Sequence, residues 1–235
     1  MYHLFSGKCY PGLPGQEYFC ITILTGWQQT NHQTNHNTEN MKTNILALLA
    51  LVQLPFTATF AQTYTVDAAK STLNWRAEKI TGFHEGTISI KSGSFQVEKD
   101  KIVSGSFVID MTTLANTDLT DPEYNKKLVG HLKSSDFFDI AKFSEATFTI
   151  LKPVDLTKSV TEVQGILSIK GIKKPLTFKT VITKAAGSYI FNANSIVVDR
   201  TAYDIKYGSG TFFSDLGDKV IYDEFLVKLK LIATR

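Results

Sequence analysis

From Thr63 onward the chain alternates apolar and polar residues with a period of two, segment after segment. Leu73-Asn74-Trp75-Arg76-Ala77 alternates, and so does Thr87-Ile88-Ser89-Ile90-Lys91. Phe95-Gln96-Val97 resumes the pattern after Ser92-Gly93-Ser94. Val103 to Met111 follows, with Phe107, Ile109 and Met111 on one face. Further segments are Phe143 to Leu151, Val163 to Lys170, Leu176 to Thr183, Tyr189 to Val198 and Val220 to Ala233. In the last of these, Phe225, Val227, Leu229 and Leu231 point one way while Glu224, Lys228 and Lys230 point the other. Side chains of a strand alternate faces, so each segment predicts a strand that is wet on one side and dry on the other.

Turn chemistry separates the segments. Glu98-Lys99-Asp100-Lys101 is a short charged turn suited to a hairpin, Lys170-Gly171-Ile172-Lys173-Lys174-Pro175 is a second, and Ala185-Ala186-Gly187-Ser188 offers Gly187 for a positive φ. About eight or nine strands joined by tight turns, with no βαβ helices between them, predict an antiparallel sandwich or barrel. One stretch breaks the pattern. Asp121-Pro122-Glu123 combines a side-chain oxygen at the N-cap, a proline at the first helical position and an acid at the positive end of the dipole. Tyr124, Leu128 and Leu132 then recur at four-residue spacing. This short amphipathic helix is expected to cap an open end or a sheet edge, its apolar stripe used for packing rather than ligand contact. No repeat or linker divides the chain after residue 62.

The first forty residues read differently. Gln28 to Asn40 is polar and rich in Asn, Gln and Thr, with neither period. Met41-Lys42, an apolar run from Ile45 to Leu54, Pro55 and the small-residue end Thr59-Phe60-Ala61 have the order of a secretory signal peptide. The apolar run is too short for a permanent membrane span. The expectation is that Met41 is the true start, that 41–61 is a cleaved signal, and that 62–235 is the mature domain, periplasmic or secreted. Residues 1–40 would be an upstream extension that is untranslated or without order.

Composition narrows the partners. Lys+Arg 25 against Asp+Glu 22, a net charge of +3, lacks the clustered basic footprint that nucleic acid requires. Both cysteines, Cys9 and Cys20, precede the expected mature domain, so neither a disulfide framework nor a cysteine zinc site holds the fold. Phe 16 and Tyr 9 suit strands and apolar cavities alike.

The run Gly130-His131-Leu132-Lys133-Ser134-Ser135-Asp136-Phe137-Phe138-Asp139, followed by Phe143 and Ala146-Thr147-Phe148, closely resembles the signature of the YceI-like family. The resemblance extends from Tyr64-Thr65-Val66-Asp67 and Ser71-Thr72-Leu73-Asn74-Trp75 through Gly86-Thr87-Ile88 and Ser92-Gly93-Ser94-Phe95. It continues in Gly165-Ile166-Leu167-Ser168-Ile169-Lys170-Gly171 with Lys174-Pro175, in Asp199-Arg200-Thr201 and in Tyr207-Gly208-Ser209-Gly210. A mild departure is Ser144-Glu145, where the family often has proline. The resemblance implies a lipocalin-like antiparallel β-barrel of eight strands or so with one short capping helix. It also implies a periplasmic location and an elongated tunnel for polyisoprenoid lipids such as isoprenoid quinones and prenyl phosphates. An eight-stranded barrel is just wide enough to admit one slender ligand.

On this reading the tail of a bound amphiphilic isoprenoid meets Trp75, Phe107, Ile109, Phe148, Ile150, Leu167, Phe178, Phe191 and Phe225, with the risk that a β-bulge inverts parity. Polar residues near loops, His131, Lys133, Arg200 and Tyr207, are the candidates for its head group, a role weighed against holding loops or facing solvent. No catalytic cofactor, metal site or catalytic residue is expected. His84-Glu85 begins like a zinc-protease motif but has Ile88 where the second histidine belongs, and Ser209 between glycines does not sit in an α/β nucleophile elbow. Transient membrane contact and a monomer or homodimer fit the reading. The alternatives are an enzyme acting on a molecule bound in the same barrel, and a stress-related interaction module.

Overall fold

A computed structural model describes residues 61–235. The upstream stretch, both cysteines and all but the last residue of the expected signal lie outside the described residues. The elements are β1 (Gln62–Val66), β2 (Thr72–Lys79), β3 (Gly82–Glu98), β4 (Lys101–Asn116), α1 (Pro122–Lys133), β5 (Glu145–Ile150), β6 (Val154–Asp155), β7 (Val160–Ile169), β8 (Ile172–Ala185), β9 (Ser188–Asp199) and β10 (Ile221–Thr234). Eight of them close a ring in the order β2-β3-β4-β5-β7-β8-β9-β10 and back to β2, every pairing antiparallel. Closure leaves these strands no free edge except where β8 and β9 part beyond Val181 and Asn192. The two short strands are additions: β1 pairs with both β3 and β10, and β6 with β4. Among the described residues the expected barrel forms with one α-helix.

The predicted strand at Thr87–Lys91 and its continuation at Phe95–Val97 are one strand of 17 residues, β3. Ile90 pairs with Ile109 but Ser92 pairs with Val108, so β3 carries one extra residue there. That bulge moves the buried parity from Ile88 and Ile90 to Phe95 and Val97. Ser92-Gly93-Ser94 is therefore a bend within a strand rather than a turn.

The Glu98–Lys101 hairpin forms as expected, and the turn expected over Lys170–Pro175 is tighter, Lys170 and Gly171 alone. Lys99 (φ 46°) and Asp100 (φ 59°) are both left-handed, as are Lys170 (φ 51°) and Gly171 (φ 74°). Such two-residue turns match the twist of the strands they join. Ile172 to Pro175 consequently belongs to β8, with Pro175 opposite Ile166. Proline is tolerated because β8 pairs with β9 only from Val181↔Asn192 to Ala185↔Ser188, which leaves Ile172–Thr180 without a β9 partner.

The two ends of the barrel are built differently. At one end lie the Glu98–Lys101 and Ala185–Ser188 turns, β1 and β6. Beneath them Tyr64 stacks on Phe95 with centroids 5.4 Å apart, Tyr189 meets Tyr64 edge-on at 4.9 Å, and Phe191 meets Phe95 edge-on at 5.5 Å. Phe95 and Tyr189 are 1% and 2% exposed, so this end is sealed. At the other end lie α1, the loop from Ser134 to Ser144 and the long connection from Arg200 to Val220. The Asp121 carboxylate caps α1 by accepting from the N–H of Glu123 at 2.9 Å and of Tyr124 at 3.1 Å. The stripe on α1 is only partly used for packing: Leu132 packs against the core and Leu128 is half-buried, but Tyr124 is 66% exposed.

Candidate functional site

The inward faces enclose an apolar cavity of about 220 Å³. Trp75 of β2, Phe107 and Ile109 of β4, Phe148 and Ile150 of β5, Leu167 of β7, Phe178 of β8, Phe191 of β9 and Phe225 of β10 all line it. Leu132 of α1 and Phe137 and Phe138 of the loop after it close the helix end over the same space. Thr180, Arg200 and Tyr222 are the polar residues among the lining. The Trp75 indole N–H does not face the lumen for want of a partner, since it donates to the Ala115 carbonyl at 3.1 Å.

Glycines keep the bore open. Trp75 is paired across the ladder with Gly86, and Phe107 with Gly93. A methyl at Gly86 would lie 2.7 Å from the Trp75 ring and 1.9 Å from the Ala115 oxygen. At Gly165 it would lie 2.3 Å from the Phe148 ring, and at Gly93 2.6 Å from that of Phe107. Each ring thus lies against a bare stretch of wall instead of filling the lumen.

Arg200 is 4% exposed and binds protein on every side. Its Nε donates to the Tyr222 carbonyl at 3.0 Å, Nη1 to those of Ile205 and Tyr207 at 2.8 Å each, and Nη2 to that of Ile221 at 2.9 Å. The fifth N–H faces Asp223 at 3.5 Å. Burial lowers its pKa from the ordinary value, opposed by the charges of Asp223 and Asp199. A guanidinium has five N–H groups, so none remains for a ligand. The geometry is that of a clamp joining β9, the 201–207 turn and the start of β10, not of a head-group grip.

The other three polar candidates gather at the helix end. The His131 ring meets Tyr207 edge-on at 4.6 Å and Phe137 edge-on at 4.9 Å, and its Nε2 lies 3.2 Å from an Asp136 oxygen. Lys133 Nζ donates to the Thr112 carbonyl at 2.7 Å. Tyr207 is 47% exposed. Around this rim the exposed apolar side chains include Ile80, Phe83, Phe212, Phe213 and Tyr222.

His84, set aside on the sequence because its zinc motif fails, belongs to the same rim. It pairs with Ala77, which lines the cavity, and shares the inward parity of Gly86 and Ile88. Its Nδ1 lies 2.8 Å from Asp118 Oδ2. Burial raises the Asp118 pKa, but hydrogen bonds from the Glu85 N–H, His84 and Asn116 outweigh it and hold the carboxyl below its ordinary range. Ser209, by contrast, is wholly buried, its Oγ accepting from the Thr211 N–H at 3.2 Å, and is out of reach of any substrate.

The model of the YceI-like domain matches residues 64–233, nearly the whole of the described chain. The chain belongs to the YceI-like family. Among curated relatives, a UPF0312 protein of Vibrio campbellii is 32% identical over 146 residues, 59% of this chain and 73% of that one. A UPF0312 protein of Shewanella denitrificans is 30% identical over 144 residues, 59% of this chain and 72% of that one. Among solved structures, Burkholderia cenocepacia BcnA superposes with a TM-score of 0.55 at 24% identity, covering 72% of this chain and 99% of that one. A polyisoprenoid binding domain from Saccharophagus degradans superposes with a TM-score of 0.52 at 20% identity, covering 73% and 97%. Both likenesses concern the fold. In this YceI-like barrel the Gly130–Asp139 run builds the lid. Ser134 Oγ caps α1 by donating to the His131 carbonyl at 2.8 Å, Asp139 turns left-handed at φ 46°, and Phe137 and Phe138 enter the cavity.

Proposed function

We propose that this chain holds a long isoprenoid lipid in its lumen, tail inward and head at the helix end, and stores or carries it in the periplasm after export. The observation that carries the reading is the apolar cavity running beneath every strand of the ring. At about 220 Å³ it exceeds the roughly 150 Å³ at which an apolar protein cavity stays dry and takes benzene. Each methylene moved from water into such a space contributes about 0.8 kcal/mol. The cavity accepts the leading part of a chain as it stands. Half-buried Phe107, Phe178 and Phe225 would turn aside for a longer one. The nine predicted lining residues would then be the tail site. The likeness to a polyisoprenoid binding domain supports the ligand class, and no helix among the described residues is long and apolar enough to cross a membrane. Exposed Phe83, Phe212 and Phe213 at the rim suit brief contact with a bilayer surface during loading.

Native mass spectrometry of protein purified from its own host tests this. An isoprenoid adduct released only by organic solvent is the expected result. An empty protein that also takes up no added polyprenol would overturn the reading, and chemical conversion of a bound lipid would replace it with an enzyme. Intact mass of the same sample checks export, with Gln62 expected at the N-terminus.

A further inference from the structure

Three polar residues line the otherwise apolar lumen, and two of them are accounted for. Arg200 is spent on the clamp at the helix end, and Tyr222 is half-exposed. Thr180 is left. It lies near the opposite floor, because the next residue of β8 on its face is Ile182, which pairs with Phe191. Phe191 in turn meets Phe95 edge-on in the sealed end. The cross-strand partner of Thr180 is Thr161 of β7, on the face that carries Val163 and Leu167 into the lumen. Directly paired residues stand side by side on one face of a sheet. Two threonines therefore adjoin each other deep in the barrel, where their neighbours Val163, Phe178 and Ile182 are apolar.

Neither hydroxyl is well served. Thr180 is 2% exposed, and its Oγ1 donates only to the carbonyl of the adjacent Val181, at 3.5 Å. That is the outer limit of a hydrogen bond, and the hydroxyl lone pairs still lack a donor. Thr161 is 9% exposed, and among the described residues its hydroxyl makes no hydrogen bond, although its oxygen keeps some open surface. Burying a hydroxyl without a good partner carries a cost that valine, of nearly the same shape, does not incur. Each hydroxyl can both donate and accept, so one oxygen atom brought against the pair would satisfy them.

The surroundings decide what kind of oxygen. Among the described residues Arg200 is the one cation in the lining, and it stands at the other end with its N–H groups engaged. A carboxylate or phosphate at the floor would be buried without a counter-charge. An alcohol or a carbonyl meets the pair without that cost. What joins it to the mouth must be hydrocarbon, because Phe178, Leu176, Leu167 and Ile169 line the way. We propose that Thr161 and Thr180 form a polar subsite at the deep end of the lumen, which receives an uncharged hydroxyl or carbonyl oxygen at the inner end of a hydrocarbon chain. This rests on the lipid-holding reading and sharpens it, since the favoured guest is polar at both ends.

Straight-chain 1-alkanols and the matching α,ω-diols, from decyl to hexadecyl, test it when titrated into the full mature chain. Each pair differs by the one hydroxyl that the subsite would receive. Against a wholly apolar floor that hydroxyl would weaken binding about tenfold or more. At the diol length bound most tightly, the diol is expected instead within about threefold of its alkanol. Thr180→Val should weaken the diol about tenfold and leave the alkanol unchanged, and Thr161→Val should act the same way by less. Valine is β-branched and suits a strand, so both variants are expected to fold. A diol-to-alkanol ratio that Thr180→Val leaves unmoved overturns the subsite and leaves the lipid reading intact. So does a diol bound more than about tenfold more weakly than its alkanol by the unaltered protein. Failure of both series to bind removes both. Should the variants not fold, a crystal structure of the unaltered protein with the diol decides. A guest oxygen within hydrogen-bond reach of Thr180 Oγ1 upholds the proposal, and a water or hydrocarbon in that place overturns it.

Discussion

The sealed end and the helix end close the same barrel by different physics. At the sealed end two-residue and glycine turns leave little chain to arrange, and Tyr64, Phe95, Tyr189 and Phe191 interlock beneath them. Its closure is made of dispersion and buried apolar area, which are non-directional and collective. At the helix end the connections are long, and directed bonds position the apolar closure of Leu132, Phe137 and Phe138: the Arg200 clamp, the Asp118 network and the caps of α1. Hydrogen-bonded closures reopen one group at a time, and functional openings are drawn from the least stable parts of a fold. On the proposed reading, one end would hold the structure together and the other would admit the guest.

The largest effect should come from Phe95→Ala, which empties the plug and costs about 3–5 kcal/mol in urea unfolding. A loss under about 1 kcal/mol would mean that the sealed end is no packed unit. Arg200→Ala leaves carbonyls without donors and should cost about 3 kcal/mol, with Arg200→Lys recovering little because an ammonium cannot span the same fork. Amide hydrogen exchange should then quicken from Thr201 to Phe213 and stay slow in the Phe95 and Tyr189 strands. Uniform loss of protection would erase the distinction between the ends. Gly165→Val drives new atoms into the Phe148 ring and the Thr149 oxygen, with about 1–3 kcal/mol lost and a smaller lumen, read as weaker decylbenzene binding.

Acid should separate the ends without mutation. Asp223 is raised by burial but lowered more by Ser209, Thr211 and Arg200, so like Asp118 its folded pKa lies below the ordinary 3.8. Groups with depressed pKa contribute stability that is complete above their unfolded value and lost as pH falls through the folded one. Exchange at the helix end should therefore quicken between about pH 5 and about pH 3, ahead of the sealed end, where the likewise lowered carboxyl of β6, Asp155, is partly exposed and its bonds to Thr157 are local. The smallest effect belongs to Tyr124→Ala: the side chain is 66% exposed, and stability should stay within about 0.5 kcal/mol.

Much of this was legible in the chain. Period-two alternation located the strands, Asp121-Pro122 located the helix start, and the inward residues of β2, β4, β5, β7, β8, β9 and β10 all line the cavity. β1 and β6 are too short to show a period, and the β3 bulge joined what alternation had divided. His84 was hidden because its inward neighbour is Gly86, which shows no apolar side chain to extend the alternation of Ile88 and Ile90 back to it. Arg200 was visible as a polar residue near a loop. Its engagement was not, since the acceptors Ile205, Tyr207, Ile221 and Tyr222 are backbone groups brought together only by the turn and the return of β10.

The parting of β8 from β9 beyond Val181 and Asn192 has a mechanical consequence. A continuous ladder resists dilation because widening it means breaking bonds in series. Here Ile172–Thr180 and the far half of β9 carry no mutual rungs, so the wall can spread along that seam and relax again with its hydrogen bonding unchanged. Girth becomes a soft variable, so that, on the proposed function, guests of unequal thickness could share one bore.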